Sequence, residues 1–147
     1  MVKQGGIGMI EERYCSYEVA RLLKEKGFDE ECHMWYEGED DLIHTNDDYG
    51  LQTNSDHVSS YFEYAAPTHQ MACDWLEQKY HLFFGLGFGN DYKGDFLYMV
   101  DIYDLTNDAV KGVYKPIVEA DDYLTTSPKT VGDAIEAAIK YSLENLV

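Results

Sequence analysis

The sequence predicts an α+β domain in which an antiparallel sheet of about four to five strands is packed by three helices, in the order α-β-β-α-β-β-(β)-α. Apolar residues recur at helical spacing in three segments, and they alternate at strand spacing from Leu82 to Phe88. Short polar turns join the predicted strands into hairpins, which favours antiparallel pairing. Because 147 residues is a usual size for one domain, we expect residues 1–147 to form a single domain, with residues 1–9 as a flexible N-terminal arm.

Each predicted helix begins after a residue that can cap it. Ser16 precedes a helix over Tyr17–Lys26, and Thr68 precedes the second helix. Thr130 precedes a third helix, which we expect to extend from Val131 to about Asn145. The hydroxyl of such a residue accepts a hydrogen bond from a backbone amide that the first helical turn leaves unpaired.

The predicted strands are Cys32–Tyr36, Leu42–His44, Leu82–Phe88, Phe96–Tyr103 and Val113–Val118. Both faces of Phe96–Tyr103 are mostly apolar, which is typical of a strand in the centre of a sheet. Pro116 has no amide hydrogen, so the last strand is expected at an edge. Residues 46–60 are rich in short polar side chains and are expected to be largely irregular.

The charge of the chain is strongly negative and unevenly distributed. Twenty-eight acidic residues against 11 lysines and arginines give a formal charge of −17. Between Gly27 and Gln78 there are 13 acidic residues and no lysine or arginine. This balance excludes binding of nucleic acid through a basic surface, and no apolar run is long enough to span a membrane. Three widely spaced cysteines indicate free thiols and a cytoplasmic location.

A regional excess of acids is better evidence for a binding surface than a uniform one. Exposed carboxylates would attract a protein partner with a basic surface, and tyrosine is frequent in protein interfaces. We therefore expect the partner-binding residues to be Glu37, Glu39, Asp40, Asp41, Asp47, Asp48 and Tyr49.

The sequence contains no assembled constellation for catalysis, and we predict no catalytic, cofactor-binding or metal-binding residues. The glycines of Gly85–Gly89 fall inside a predicted strand with no helix after it, so they do not form a phosphate-binding loop. The five histidines are 11 to 13 residues apart, and no two of them are spaced to face one another on a helix. A nucleophile motif of the Gly-x-Ser-x-Gly type is also absent from the sequence.

Three segments carry a resemblance: Tyr14–Phe28 (YCSYEVARLLKEKGF), Ala66–Leu76 (APTHQMACDWL) and Ala134–Leu146 (AIEAAIKYSLENL). Together they resemble a family of small uncharacterised proteins encoded by prophages and mobile elements of gut bacteria. The resemblance implies an accessory protein of the bacterial cytoplasm. The resemblance implies no activity and assigns no functional role to any residue of this chain. The acidic positions from Glu37 to Asp48 lie outside the three segments.

The leading interpretation is a non-enzymatic protein-binding module that belongs to a phage or mobile element. One alternative is a DNA mimic, whose carboxylates would occupy the phosphate-binding groove of a nucleic-acid-binding protein. Another is an enzyme that uses clustered carboxylates on a small molecule or with a divalent metal ion. A third is that the charge only keeps the protein soluble. The sequence leaves the oligomeric state open.

Overall fold

Three helices and two antiparallel sheets form the described part of the chain, which in this computed structural model comprises residues 12–39, 41–44, 50–56, 63–106 and 116–147. The elements are α1 (Tyr17–Glu25), β1 (Met34–Gly38), β2 (Asp41–His44), β3 (Tyr64–Ala65), α2 (His69–Tyr80), β4 (Leu82–Asn90), β5 (Phe96–Asp104) and α3 (Val131–Asn145). The α+β class is confirmed. The arm predicted at residues 1–9 lies outside the described residues.

All three predicted helix starts are confirmed by a side-chain cap. The hydroxyl of Ser16 accepts a hydrogen bond from the amide of Val19, and that of Thr68 accepts one from Met71. Thr130 caps α3 in the same way. Each hydroxyl satisfies one of the amides that a helix start leaves unpaired, so these local patterns place the helices correctly.

The strands are divided between two sheets, whereas the sequence predicted a single one. The first sheet has the order β2-β1-β3, and the second consists of β4 and β5 alone. Hairpin pairing is a local property, but the joining of two hairpins edge to edge depends on how the helices pack. The two residues of β3, Tyr64 and Ala65, add a strand that the sequence did not predict.

The strand β5 has one strand neighbour, which corrects the prediction that it is central in the sheet. Its other edge is covered by irregular backbone: the amide of Ile102 donates to Val118, and that of Tyr98 donates to Pro128. Of the strand predicted over Val113–Val118, residues 113–115 lie outside the described residues, and Val118 forms only an isolated bridge with Ile102.

The glycine-rich segment is a strand, as predicted, because Gly85, Gly87 and Gly89 all lie within β4. A Cβ atom added at Gly85 would lie 2.8 Å from the Tyr103 ring on the neighbouring strand. The glycine therefore leaves room for an aromatic ring.

The hydrophobic core lies between the three helices and the two sheets. Its largest fully buried side chains include Trp35 from β1, Leu23 from α1, Leu76 from α2 and Leu143 from α3. The helix α3 contacts both other helices and also β4 and β5. This arrangement brings the N-terminal ends of α1, α2 and α3 together on one side of the core.

Candidate functional site

The structure describes only part of the predicted acidic site. Glu37 is exposed on β1, and Glu39 is exposed in the turn after it. Asp41 begins β2, and its side chain is not described. The remaining members, Asp40, Asp47, Asp48 and Tyr49, lie outside the described residues. The structure therefore brings Glu37 and Glu39 to the turn end of the β1–β2 hairpin.

The wider acidic segment, residues 27–78, is exposed wherever its acids are described. The members in question are Asp29, Glu30, Glu31, Glu37, Glu39, Asp56, Glu63, Asp74 and Glu77. None of them forms an ion pair with a lysine or arginine in the described part of the chain. Four of them, Asp29, Glu30, Glu31 and Asp74, line a cleft of about 570 Å³ beside Trp75. The negative charge of this region is thus left available to a partner.

Asp29 shows how one of these carboxylates is held. It accepts a hydrogen bond of 2.8 Å from the amide of Ser55 and a second bond from the Ser55 hydroxyl. These bonds lower the pKa of Asp29, because they favour its charged form. A general acid needs the opposite shift, so this carboxylate suits a binding role better than proton donation.

Most of the exposed large apolar side chains of the described residues lie on the β4–β5 hairpin. Nine large apolar side chains are exposed among the described residues, and six of them lie on this hairpin or directly after it. They are Phe83, Leu86, Phe88, Tyr92, Phe96 and Leu105, and Phe83 lies on the opposite face of β4 from Leu86 and Phe88. From Leu82 to Gly89 the strand carries no charged residue, in a protein of net charge −17. Apolar side chains exposed together, as Leu86 and Phe88 are on one face of this strand, indicate an interaction site.

The two halves of β4 have different environments. Leu82 is buried at the base of the strand, and Phe84 packs beside α3. Farther along, Leu86 is 49% exposed and Phe88 is 73% exposed. The alternating apolar face that the sequence predicted therefore exists, but α3 covers only its first half.

The outer edge of β4 is unpaired within the described residues. The backbone bonds of Ile102 and Tyr98 to segments outside the hairpin show that their amides point away from β4. Their partners on β4 are Phe84 and Phe88, so these are the non-hydrogen-bonded pairs of the ladder. By the same alternation, the backbone groups of Phe84, Leu86 and Phe88 point outward, where no described residue bonds them.

A second cluster joins three residues from distant parts of the sequence. Cys15 directly precedes the cap of α1, His69 is the first residue of α2, and Glu136 lies in the second turn of α3. The Nε2 atom of His69 lies 2.9 Å from an Oε1 atom of Glu136, and the potential ligand atoms of all three residues lie within 4.8 Å of one another. Cys15 is completely buried and His69 is 9% exposed.

The backbone holds this cluster in place. The amide of Ser16 donates to both carboxylate oxygens of Glu136, at 3.3 and 3.2 Å. The amide of His69 donates to the carbonyl of Arg13 at 2.9 Å. The start of α1 is thus tied to α3 and the start of α2 to the segment before α1, and the Ser16 amide orients the Glu136 carboxylate.

The same three residue types serve as nucleophile, base and orienting carboxylate in some enzymes. A nucleophilic cysteine must be accessible and must ionise easily. Burial raises the pKa of the Cys15 thiol well above its usual value, and the nearby Glu136 carboxylate raises it further. The geometry therefore does not support nucleophilic catalysis by Cys15.

The sequence did not reveal this cluster, because its members are 54 and 67 residues apart and no local spacing brings them together. One local signal was present: Cys73 follows His69 by four residues, which places both on one face of α2. Both residues line a cleft of about 420 Å³ beside the cluster.

Comparisons with protein-family models, curated proteins and solved structures found no match to this chain. None of the described helices is long and apolar enough to cross a membrane.

Proposed function

We propose that this chain is a non-enzymatic protein-binding module, an accessory protein of a phage or mobile element, whose partner pairs with the outer edge of β4. The observation that carries the proposal is the outer edge of this strand, with which no described residue pairs and which carries no charged side chain. Natural proteins usually protect such edges with charged residues, proline or a covering element. The exposed half of β4 has none of these among the described residues.

The backbone of β4 supports recognition by strand addition. An extended segment can bond to the outward backbone groups of Phe84, Leu86 and Phe88, which provide affinity with little demand on the partner's sequence. The side chains of Leu86 and Phe88 then contact alternate side chains of the added strand, which supplies selectivity. Gly87 keeps the opposite face of the strand open, because nothing lies within 4 Å of the position where its Cβ would be.

The charge of the chain favours a partner with basic residues around its apolar segment. Residues 82–106 contain four aspartates and one lysine. The described acids of residues 27–78 add further negative charge that no described lysine or arginine pairs with. Such a field increases the rate of encounter with a basic partner and opposes pairing with a second acidic copy.

The test is site-specific photo-crosslinking in cells that naturally carry the gene. A photo-reactive phenylalanine analogue replaces Phe88, and a control protein carries it in place of exposed Glu144 on α3. We expect an adduct with a different protein from position 88 only. Its yield should fall as salt increases in an extract, because exposed charges are screened.

Two variants at one position separate strand addition from side-chain contact. Both Leu86→Ala and Leu86→Pro remove the exposed side chain, but only proline also removes the outward amide. The proposal predicts that Leu86→Ala weakens the adduct and Leu86→Pro abolishes it, while circular dichroism shows both variants folded. Equal effects of the two variants, no adduct, or an adduct with a second copy of the chain would each refute the proposal.

The DNA-mimic alternative makes a different prediction for the same adduct. In that case the captured protein would bind nucleic acid, and added DNA would displace it. Reversal of Glu37 and Glu39 to lysine would then weaken the adduct more than Leu86→Pro does.

A further inference from the structure

We infer that Cys15, His69 and Glu136 form a binding site for a zinc-like transition-metal ion. Their potential ligand atoms lie within 4.8 Å of one another. Tetrahedral zinc, with bonds of about 2.0 to 2.3 Å, places its ligand atoms about 3.3 to 3.8 Å apart. Small side-chain adjustments would therefore bring the three atoms around one ion. This inference does not depend on the proposed function.

The chemistry of the three donors selects the metal. Thiolate and imidazole are ligands of zinc and related ions, whereas calcium and magnesium prefer sites made of oxygen atoms alone. A site of one thiol, one imidazole and one carboxylate therefore suits Zn²⁺ better than the divalent cations that acidic surfaces attract. The exposed carboxylates of the chain are a separate, weaker attraction for cations.

Metal binding replaces interactions that the cluster already makes. The Cys15 thiol releases its proton to solvent and forms a sulfur–metal bond, and the hydrogen bond between His69 and Glu136 gives way to two metal bonds. Glu136 keeps its bond from the amide of Ser16, which serves as the outer support that orients a metal ligand. The ion compensates for ionising a thiol whose burial otherwise disfavours the thiolate.

The cleft beside the cluster supplies an entry path and a fourth coordination position. It has a volume of about 420 Å³, and His69 and Cys73 are among its lining residues. Cys15 is completely buried, so the ion reaches it from the side of His69. Three protein ligands with a water molecule in the fourth position complete a tetrahedral site.

The test uses the full chain, stripped of metal with a chelator and then titrated with Co²⁺ and Zn²⁺. Excess Mg²⁺ occupies the acidic surface throughout. We expect one cobalt ion per chain, a thiolate-to-cobalt absorption band, displacement of cobalt by zinc, and a higher melting temperature with zinc bound. No saturable binding, or binding without the thiolate band, would overturn the inference.

The variants assign the ligands. Cys15→Ser should abolish the band, and Glu136→Gln should weaken zinc binding at least tenfold. The matched controls Cys32→Ser and Cys73→Ser, which change the other two thiols, should keep the band. A band that survives Cys15→Ser, or one that disappears in Cys73→Ser, would place the thiolate elsewhere and overturn the assignment. If Cys15→Ser does not fold, Glu136→Gln and the two controls still decide the question.

Discussion

The side-chain oxygen of Asn54 accepts a hydrogen bond of 2.9 Å from the backbone amide of Ala65. The amide nitrogen of the same side chain donates one of 2.8 Å to the carbonyl of Phe28. Asn54 is buried, and it links the segment after α1 to the strand β3. One side chain therefore joins two parts of the fold that are 37 residues apart in sequence.

We expect Asn54→Ala to lower the free energy of unfolding by about 2 to 3 kcal/mol, because it leaves buried backbone groups without a partner. Ser55→Ala is the matched control, since within the described residues the Ser55 hydroxyl bonds to exposed Asp29, and its loss should cost less than about 1 kcal/mol. Urea denaturation monitored by tryptophan fluorescence measures both. Similar midpoints for the two variants would contradict the role of Asn54.

Two glycines of β4 should respond in opposite ways to alanine. At Gly85 the new Cβ would lie 2.8 Å from the Tyr103 ring, so the ring must shift, whereas nothing lies within 4 Å at Gly87. We expect Gly87→Ala to stabilise the chain by about 0.5 kcal/mol by restricting the unfolded state. Gly85→Ala should be about 1 kcal/mol less stable than Gly87→Ala. Equal thermal midpoints would show that the Tyr103 ring moves without cost.

The two halves of β4 should also differ in their contribution to stability. Leu82 is 5% exposed, and we expect Leu82→Ala to cost about 2 to 5 kcal/mol through the cavity that it leaves. Phe88 is 73% exposed, and Phe88→Ser should change the unfolding free energy by less than about 0.5 kcal/mol. Chemical denaturation compares the two. A large loss in Phe88→Ser would mean that its ring packs within the chain rather than serving a partner.

The buried thiols should make the fold less stable in alkali. Burial raises the pKa of Cys32 and of Cys73 to about 12, from an ordinary value of 9.0. Because the folded pKa lies above the unfolded one, this contribution is fully present below about pH 9 and is lost as the pH rises toward 12. The urea midpoint should therefore be lower at about pH 10.5 than at about pH 8.

The Cys73→Ala variant isolates the thiol from the tyrosines, which also titrate in this range. We expect a smaller fall of the urea midpoint in the variant than in the natural chain. The half-buried Cys73 should also react with a thiol reagent faster than the buried Cys15 and Cys32. An unchanged pH dependence in Cys73→Ala would show that its thiol does not titrate differently on unfolding.

The sequence alone determined the features that depend on neighbours within a few residues. The capping hydroxyls of Ser16, Thr68 and Thr130 placed all three helices, because each cap bonds to an amide three residues away. The period-two pattern from Leu82 to Phe88 placed β4, because side chains on a strand alternate between its faces. The concentration of charge between Gly27 and Gln78 is likewise a property of the chain itself.

Tertiary packing decided the rest. Whether the hairpins join into one sheet, and which half of β4 is buried, depends on where α3 lies. The contact of His69 with Glu136, and the burial of Cys15 beside them, arises because three helix starts meet at one point. No local spacing encodes that meeting, since the free energy that produces it comes from burying apolar faces of distant segments against one another.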